Sequence, residues 1–191
     1  MKKKLMTVLA LVLVIALSVA GTYAYLTSQA TVTNTFTVGN VAITMDETDV
    51  DNSTPDADRD VANAYKLIPG TTYTKDPIIH VTATSEKCYL FVKVENNIAA
   101  AETTDATKTV AAQLAANGWT LVDGQTNIYV YKDAVNGGAD VKVFENFTVS
   151  NDINNDALKA AADGKTIVVT ACAVQAEGLT AAQAFAAAKF A

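Results

Sequence analysis

The stretch Cys88-Tyr-Leu-Phe-Val-Lys-Val94 decides the fold class, because apolar side chains recur at every second position. Alternation with a period of two is typical of a β-strand with one buried face. The pattern places four residues on that apolar face: Cys88, Leu90, Val92 and Val94. A second stretch, Ile167-Val-Val-Thr-Ala-Cys-Ala-Val174, is rich in β-branched residues and predicts another core strand.

Similar strand-like segments occur along most of the chain, separated by turn signals. They lie at residues 31–38, 41–45, 71–74, 78–84, 119–122, 128–132 and 141–149. Gly39-Asn40 between the first two indicates a hairpin or a bend within one long strand. Turn dipeptides such as Pro69-Gly70 and Asp123-Gly124 separate later segments. The sequence therefore predicts an all-β protein with short helical additions, folded as a two-sheet β-sandwich.

Short helices are predicted at residues 107–116, 157–162 and 181–190. Asn117-Gly118 supplies a C-cap for the first helix, and Asn155 or Asp156 can cap the start of the second. Thr180 can cap the third, which makes residues 180–190 a C-terminal helix. This helix is rich in alanine, so it needs a docking surface, and we expect it to cover one end of the sandwich.

The chain contains two cysteines, Cys88 and Cys172. Alternation places Cys172 on one face with Val168, Thr170 and Val174, so both thiols could point into one core. If their strands are neighbours, the thiols could form a disulfide, which an exported protein permits. Otherwise they are two small buried hydrophobic residues. Both alternatives remain open, because the separation of the Cα atoms decides between them.

Residues 1–24 have the three regions of a secretory signal peptide. Lys2-Lys3-Lys4 precede an apolar run that ends at Leu17, and small residues follow. This run is shorter than the ~20 residues that span a bilayer, which favours a cleaved signal over an uncleaved membrane anchor. Thr22 and Ala24 supply small side chains before the cut, and Tyr25 would be the new N-terminus. We therefore expect a secreted protein of the extracellular matrix or cell surface, which contacts the membrane only before cleavage.

Charge narrows the classes of partner. The formal net charge of −6 becomes −9 when the three signal lysines are removed. An acidic chain of this kind is repelled by nucleic acid and by anionic lipid surfaces. Its acidity suits solubility or the binding of cations, so no nucleic-acid partner is expected.

The acidic segment at residues 46–63 is the one candidate for a metal site. Asp49, Asp51 and Asp60 have spacings that partly match a calcium loop. Thr54 stands where an EF-hand needs glycine, and Asp60 stands where it needs glutamate, so an EF-hand is not supported. A solvated loop is the default prediction, and an irregular, weak calcium site is the minority one. No other cofactor is predicted.

The sequence gives little support for catalysis. His80 is the single histidine, and no His-Glu-x-x-His motif occurs, whereas a catalytic zinc needs three protein ligands. His80 also lies within the strand-like segment at residues 78–84. We therefore predict a strand histidine whose ring nitrogens bond locally, in a protein that is not an enzyme.

Three segments carry a resemblance to a known family. Gly21-Thr-Tyr-Ala-Tyr-Leu-Thr, Asn34-Thr-Phe-Thr-Val-Gly-Asn-Val41 and Leu67-Ile-Pro-Gly-Thr-Thr-Tyr-Thr-Lys75 resemble the TasA/camelysin family of Gram-positive bacteria. Its members are exported matrix proteins processed by the signal peptidase SipW. The resemblance implies a jelly-roll-like β-sandwich, processing by a SipW-type peptidase and, as in the best-known members, assembly into biofilm fibres. Camelysin-type relatives are described as metallopeptidases, so that activity ranks third among the functions considered.

The resemblance also implies assembly by donor-strand exchange. Residues 25–38 would form an N-terminal strand that completes the sheet of the next subunit, while residues 39–191 form the sandwich domain. Five side chains of the donor would fill pockets: Tyr25, Leu26, Val32, Phe36 and Val38. The partner would be another copy of the chain or a related matrix subunit. Alternatively, residues 31–38 pair within their own sandwich, and the protein is a monomeric accessory or surface-binding domain.

Overall fold

The structure, a computed structural model, describes residues 1–26, 39–54 and 57–190, with the backbone alone for residues 16–26. The chain divides into two compact units, Met1–Val38 and Gly39–Ala191. The described part of the first unit consists of one helix, α1 (Lys2–Leu26). Among the described residues, no helix has both the length and the apolar character needed to cross a membrane.

Most of the predicted donor strand lies outside the described residues, namely Val32, Phe36 and Val38. Tyr25 and Leu26 are described, and in the uncleaved chain they form the last two residues of α1. No proline interrupts residues 2–26, so nothing in the backbone forces the helix to end before them. The predicted cleavage residues Thr22 and Ala24 lie in the same helix.

The described residues of the second unit form ten strands and a few short helices. The strands are β1 (Ile43–Thr48), β2 (Arg59–Asp60), β3 (Thr72–Thr74), β4 (Ile78–Val81), β5 (Cys88–Asn96), β6 (Trp119–Leu121), β7 (Ile128–Tyr131), β8 (Asp140–Lys142), β9 (Asn146–Thr148) and β10 (Ile167–Gln175). The helices are α2 (Val110–Ala116), α3 (Asn155–Ala162), α4 (Ala181–Ala187) and a 3-10 turn at Ala99–Ala101.

The strands form two four-stranded antiparallel sheets and one small sheet. The first sheet has the order β2-β1-β4-β8, the second has the order β10-β5-β7-β6, and β3 pairs with β9. Alternate side chains such as Ile79, Leu90 and Val92 are fully buried in the core. The predicted all-β sandwich with short helical additions is confirmed. The predicted strand at 141–149 is in fact β8 and β9, which lie in different sheets, because Val143 and Phe144 turn into the core between them.

The prediction that both cysteines point into one core is wrong. β5 and β10 are neighbours, but Cys88 lies opposite Gln175 and Cys172 lies opposite Phe91. Positions three apart along a strand project from opposite faces, so one thiol enters the sandwich core and the other lies on the outer face. Both cysteines are free, with Cys88 buried and Cys172 partly buried. The strand β10 is apolar on both faces, which hid this difference in the sequence.

The helices begin and end close to the predicted positions. Thr109 caps α2, Asn154 caps α3, and Thr180 forms a capping box with Gln183 at the start of α4. The position of α4 differs from the prediction, because it packs on the outer face of the second sheet and not over an end of the sandwich. Its Phe185 ring lies 5.6 Å from the ring of Phe91, which projects from that outer face. The helix therefore covers a second apolar surface.

Candidate functional site

The sandwich contains a groove of about 1000 Å³. It lies between β1, the segment at residues 61–67, α3 and the first residues of β10. Much of its lining is apolar, including Met45, Leu67, Leu158, Ile167 and Val169. A groove with apolar residues in its walls suits a polypeptide segment better than a compact ion.

One border of the groove is β10, an edge strand of the second sheet. The amide of Asn97 donates to the carbonyl of Thr166 at 3.1 Å, and that of Ala176 donates to Lys87 at 2.8 Å. These two bonds show which residues of β10 pair with β5. The even-numbered residues direct their backbone N–H and C=O groups toward β5. The odd-numbered residues direct theirs to the open side, where no described strand pairs with them: Ile167, Val169, Ala171 and Ala173.

The groove is also lined by β1 from Met45 to Glu47, and the first half of this strand is open on one side. The amide of Thr82 donates to the carbonyl of Ala42 at 3.0 Å, so even-numbered residues of β1 direct their backbone groups toward β4. On the other side, β2 is two residues long and pairs only with Glu47 and Thr48. Within the described chain, the backbone groups of Ile43 and Met45 therefore have no strand partner on that side. Two unpaired strand edges thus border one groove.

A buried ion pair lies in the wall of this groove. Glu47 follows Ile43 and Met45 in the inward-facing row of β1. Its carboxylate accepts a hydrogen bond from Lys75 Nζ at 2.7 Å and one from Asn63 Nδ2 at 3.1 Å. The side chain of Glu47 is 6% exposed and that of Lys75 is 12% exposed. Burial, together with the charge of Glu47, raises the pKa of the adjacent Tyr65 above its usual range.

The Glu47–Lys75 pair was not predicted, although the sequence contains a signal for it. The acidic composition of residues 46–63 predicts one solvated loop, whereas Glu47 still belongs to the β1 strand. The alternation of Ile43, Met45 and Glu47 places an ionisable group in an inward-facing row. A buried carboxylate needs a cationic or hydrogen-bonding partner, so such a row predicts a nearby lysine or arginine.

A second charged cluster lies on the outer face of the first sheet. Arg59 pairs with Asp46 and with Asp76, the latter at 3.2 Å. Nδ1 of His80 lies 2.7 Å from Asp140, and Nε2 lies 3.2 Å from Asp46. As predicted, His80 is a strand residue with both ring nitrogens bonded locally. The hydrogen bond with Asp140 raises the pKa of His80, and the bond with Asp46 adds to it.

The calcium candidates make hydrogen bonds within their own loop. Asp49 accepts from the amide of Thr54 at 3.1 Å, and Asp51 accepts from the amide of Ser53 at 3.0 Å. Asp60 accepts from the hydroxyl of Ser53 at 2.8 Å. In residues 1–26, 39–54 and 57–190, no group of three or more His, Cys, Asp or Glu side chains is placed to hold a metal ion.

Residues 1–164 match the sequence profile of the family described as camelysin metallo-endopeptidase. The chain belongs to the camelysin family. This family includes TasA-like proteins, so the resemblance carried by residues 21–27, 34–41 and 67–75 is confirmed. Comparison with curated proteins gave no match, and comparison with solved structures gave none either.

Proposed function

We propose that this camelysin-family chain is a secreted structural subunit of extracellular matrix fibres and is not an enzyme. Cleavage after Ala24 by a SipW-type peptidase would release residues 25–38 as an extended segment. That segment of one copy would enter the groove of the next copy and pair with its strand edges. A contact of this kind joins two different surfaces and so generates an open filament.

The observation that carries this proposal is the groove bordered by two unpaired strand edges. An incoming strand would satisfy backbone groups along one of these edges, with a net gain of about 0.5–1.5 kcal/mol for each hydrogen bond. Apolar donor side chains such as Val32 and Phe36 would each add about 1.5–3 kcal/mol on full burial. Exposed edges are otherwise a liability that folded proteins usually cover.

The composition of the donor segment also supports the proposal. Residues 25–38 contain no charged side chain, so burial of their side chains removes no ion from water. The segment has 14 residues, against nine in β10, and it is therefore long enough to follow that edge. The matrix partner can be another copy or a related subunit with the same groove.

The proposal is tested by comparing residues 25–191 with residues 39–191 in size-exclusion chromatography and negative-stain microscopy. We expect filaments from the longer protein and monomers from the shorter one. Folded monomers of both, over a wide concentration range, would instead favour the accessory or surface-binding domain.

The receptor edge can be tested with one substitution. Ala171→Pro removes an amide that points to the open side of β10, and an edge strand tolerates proline where its N–H faces outward. We expect this variant to fold and to lose polymerisation. The matched control is Ala171→Ser, which keeps the amide and should still polymerise. Equal polymerisation by the two variants would rule out pairing at this point of β10.

The description of the family as metallo-endopeptidases supports a second candidate, a peptidase. This candidate predicts cleavage of a protein substrate that stops when a chelator is added and that is lost in His80→Ala. Under our proposal, neither the precursor nor the mature protein gives chelator-sensitive cleavage. Cleavage that depends on both metal and His80 would replace the structural function with a catalytic one.

A further inference from the structure

We infer that Glu47, Lys75 and Asn63 fix the register of the donor strand by binding the side-chain amide of Asn34 from the neighbouring copy. This inference rests on the proposed function and adds a specificity-determining residue on each side of the contact. The groove contains one buried polar pair, Glu47 and Lys75, and the apolar row of the donor contains one amide, Asn34.

The donor segment has two distinct rows of side chains when it is extended. Odd positions from 31 to 37 are all threonine. Even positions from 32 to 38 are apolar except for one: Val32, Asn34, Phe36 and Val38. A strand seated in the groove directs one of these rows inward, and the row with valine and phenylalanine gains more from burial. Asn34 would then face the groove between two apolar neighbours.

The wall of the groove contains an ion pair that can bind this amide. Glu47 and Lys75 are bonded to each other at 2.7 Å and are both largely buried, while Met45 beside them is apolar. An ammonium group carries three donors, and that of Lys75 uses one of them within the described chain. Each carboxylate oxygen of Glu47 accepts one bond and retains a further lone pair.

A primary amide fits this arrangement better than any other uncharged side chain. Its carbonyl can accept from Lys75, and its NH₂ group can donate to Glu47. A threonine or serine hydroxyl has a single proton and a shorter reach. An apolar side chain would cover the ion pair, cut it off from water and return no hydrogen bond.

The consequence of this match is control of register. A shift by one residue turns the threonine row inward, and the loss of apolar burial already opposes it. A shift by two residues keeps the apolar row inward, so burial alone opposes it weakly. That shift places Val32 or Phe36 against the ion pair and Asn34 against apolar side chains. A single buried polar residue selects register in coiled coils by the same logic.

The test uses the mature chain, residues 25–191, and compares Asn34→Val with Thr33→Val. Both variants replace a polar residue by valine in the donor, but only Asn34 belongs to the inward row. We expect filaments of the unchanged chain and of Thr33→Val to have one axial rise per subunit. We expect Asn34→Val to give mixed rises that differ by about 7 Å, which is two residues of strand, and a critical concentration at least about tenfold higher.

A second variant tests the receptor side. Lys75→Met in the acceptor, combined with Asn34→Val in the donor, should add little to the effect of either change alone, because both remove the same contact. A single cooperative unfolding transition of Lys75→Met shows that the receptor still folds. If that variant does not fold, Asn63→Ala replaces it, since Asn63 bonds the same carboxylate.

The outcomes separate the two proposals. Filaments of Asn34→Val with the same rise and critical concentration as those of Thr33→Val overturn the register inference and leave the fibre proposal standing. Absence of filaments from the unchanged mature chain overturns both. Mixed rises in both variants would show that threonines also face the groove, which contradicts the inference.

Discussion

Asp46 and Glu47 are adjacent in β1, but their side chains serve opposite faces of the first sheet. Asp46 joins a partly exposed cluster with Arg59 and His80, where water screens each pair. Glu47 is buried and depends mainly on one cation, Lys75. The charge of a residue therefore does not indicate how much it contributes to stability. Its burial and the number of its partners decide that contribution.

The buried pair gives the largest expected effect. Lys75→Met leaves Glu47 as a buried carboxylate without its counter-ion, and we expect the free energy of unfolding to fall by about 3 kcal/mol. Urea unfolding monitored by circular dichroism measures this change. Because Asp46 lies on the partly exposed face, we expect a loss of unfolding free energy of this size only for an ion pair on the inward face of β1.

The control for that variant is Lys142→Met. Lys142 forms an exposed ion pair with Glu145 at 2.8 Å, so the same substitution there should change stability by less than about 1 kcal/mol. Equal losses in the two variants would mean that burial does not distinguish the pairs. The double variant Glu47→Leu with Lys75→Met should recover most of the stability, because it removes both buried charges.

The sequence predicted the strands better than the contents of the site. β5 and β10 were identifiable because their apolar residues are local and continuous. The face of Cys172 was not identifiable, because β10 is apolar on both faces and only the register with β5 decides which face is inside. Glu47 was hidden among six other acidic residues of the segment at residues 46–63. The partners of His80 come from β1 and β8, so no local pattern contains them.

The outer cluster should make stability fall as pH rises, which is opposite to the effect of a carboxyl group whose pKa is lowered on folding. His80 faces Asp46 and Asp140, with Arg59 nearby, and its hydrogen bond with Asp140 raises its pKa above the unfolded value of ~6.5. The stabilisation is fully present below that value, and it is lost as pH rises through the folded pKa. We expect a decrease of about 1 kcal/mol or less.

Chemical unfolding between about pH 5.5 and pH 8.5 measures this dependence, because that range covers the titration of a histidine with an unfolded pKa of ~6.5. The matched variant is His80→Gln, which keeps hydrogen-bonding groups but does not titrate. It should remove the decline in stability across this window. A decline of the same size in His80→Gln would assign the dependence to another group.

The smallest effect is expected at the rim of the same cluster. The side chain of Asp140 is 67% exposed, although it lies 2.7 Å from His80 Nδ1. Asp140→Asn keeps an acceptor for the ring and removes a charge that water largely screens, so unfolding free energy at pH 7 should change by less than about 0.5 kcal/mol. Nuclear magnetic resonance titration should still find a lower pKa for His80 in this variant. If stability fell as much as in Lys75→Met, exposure would not separate the two faces of β1.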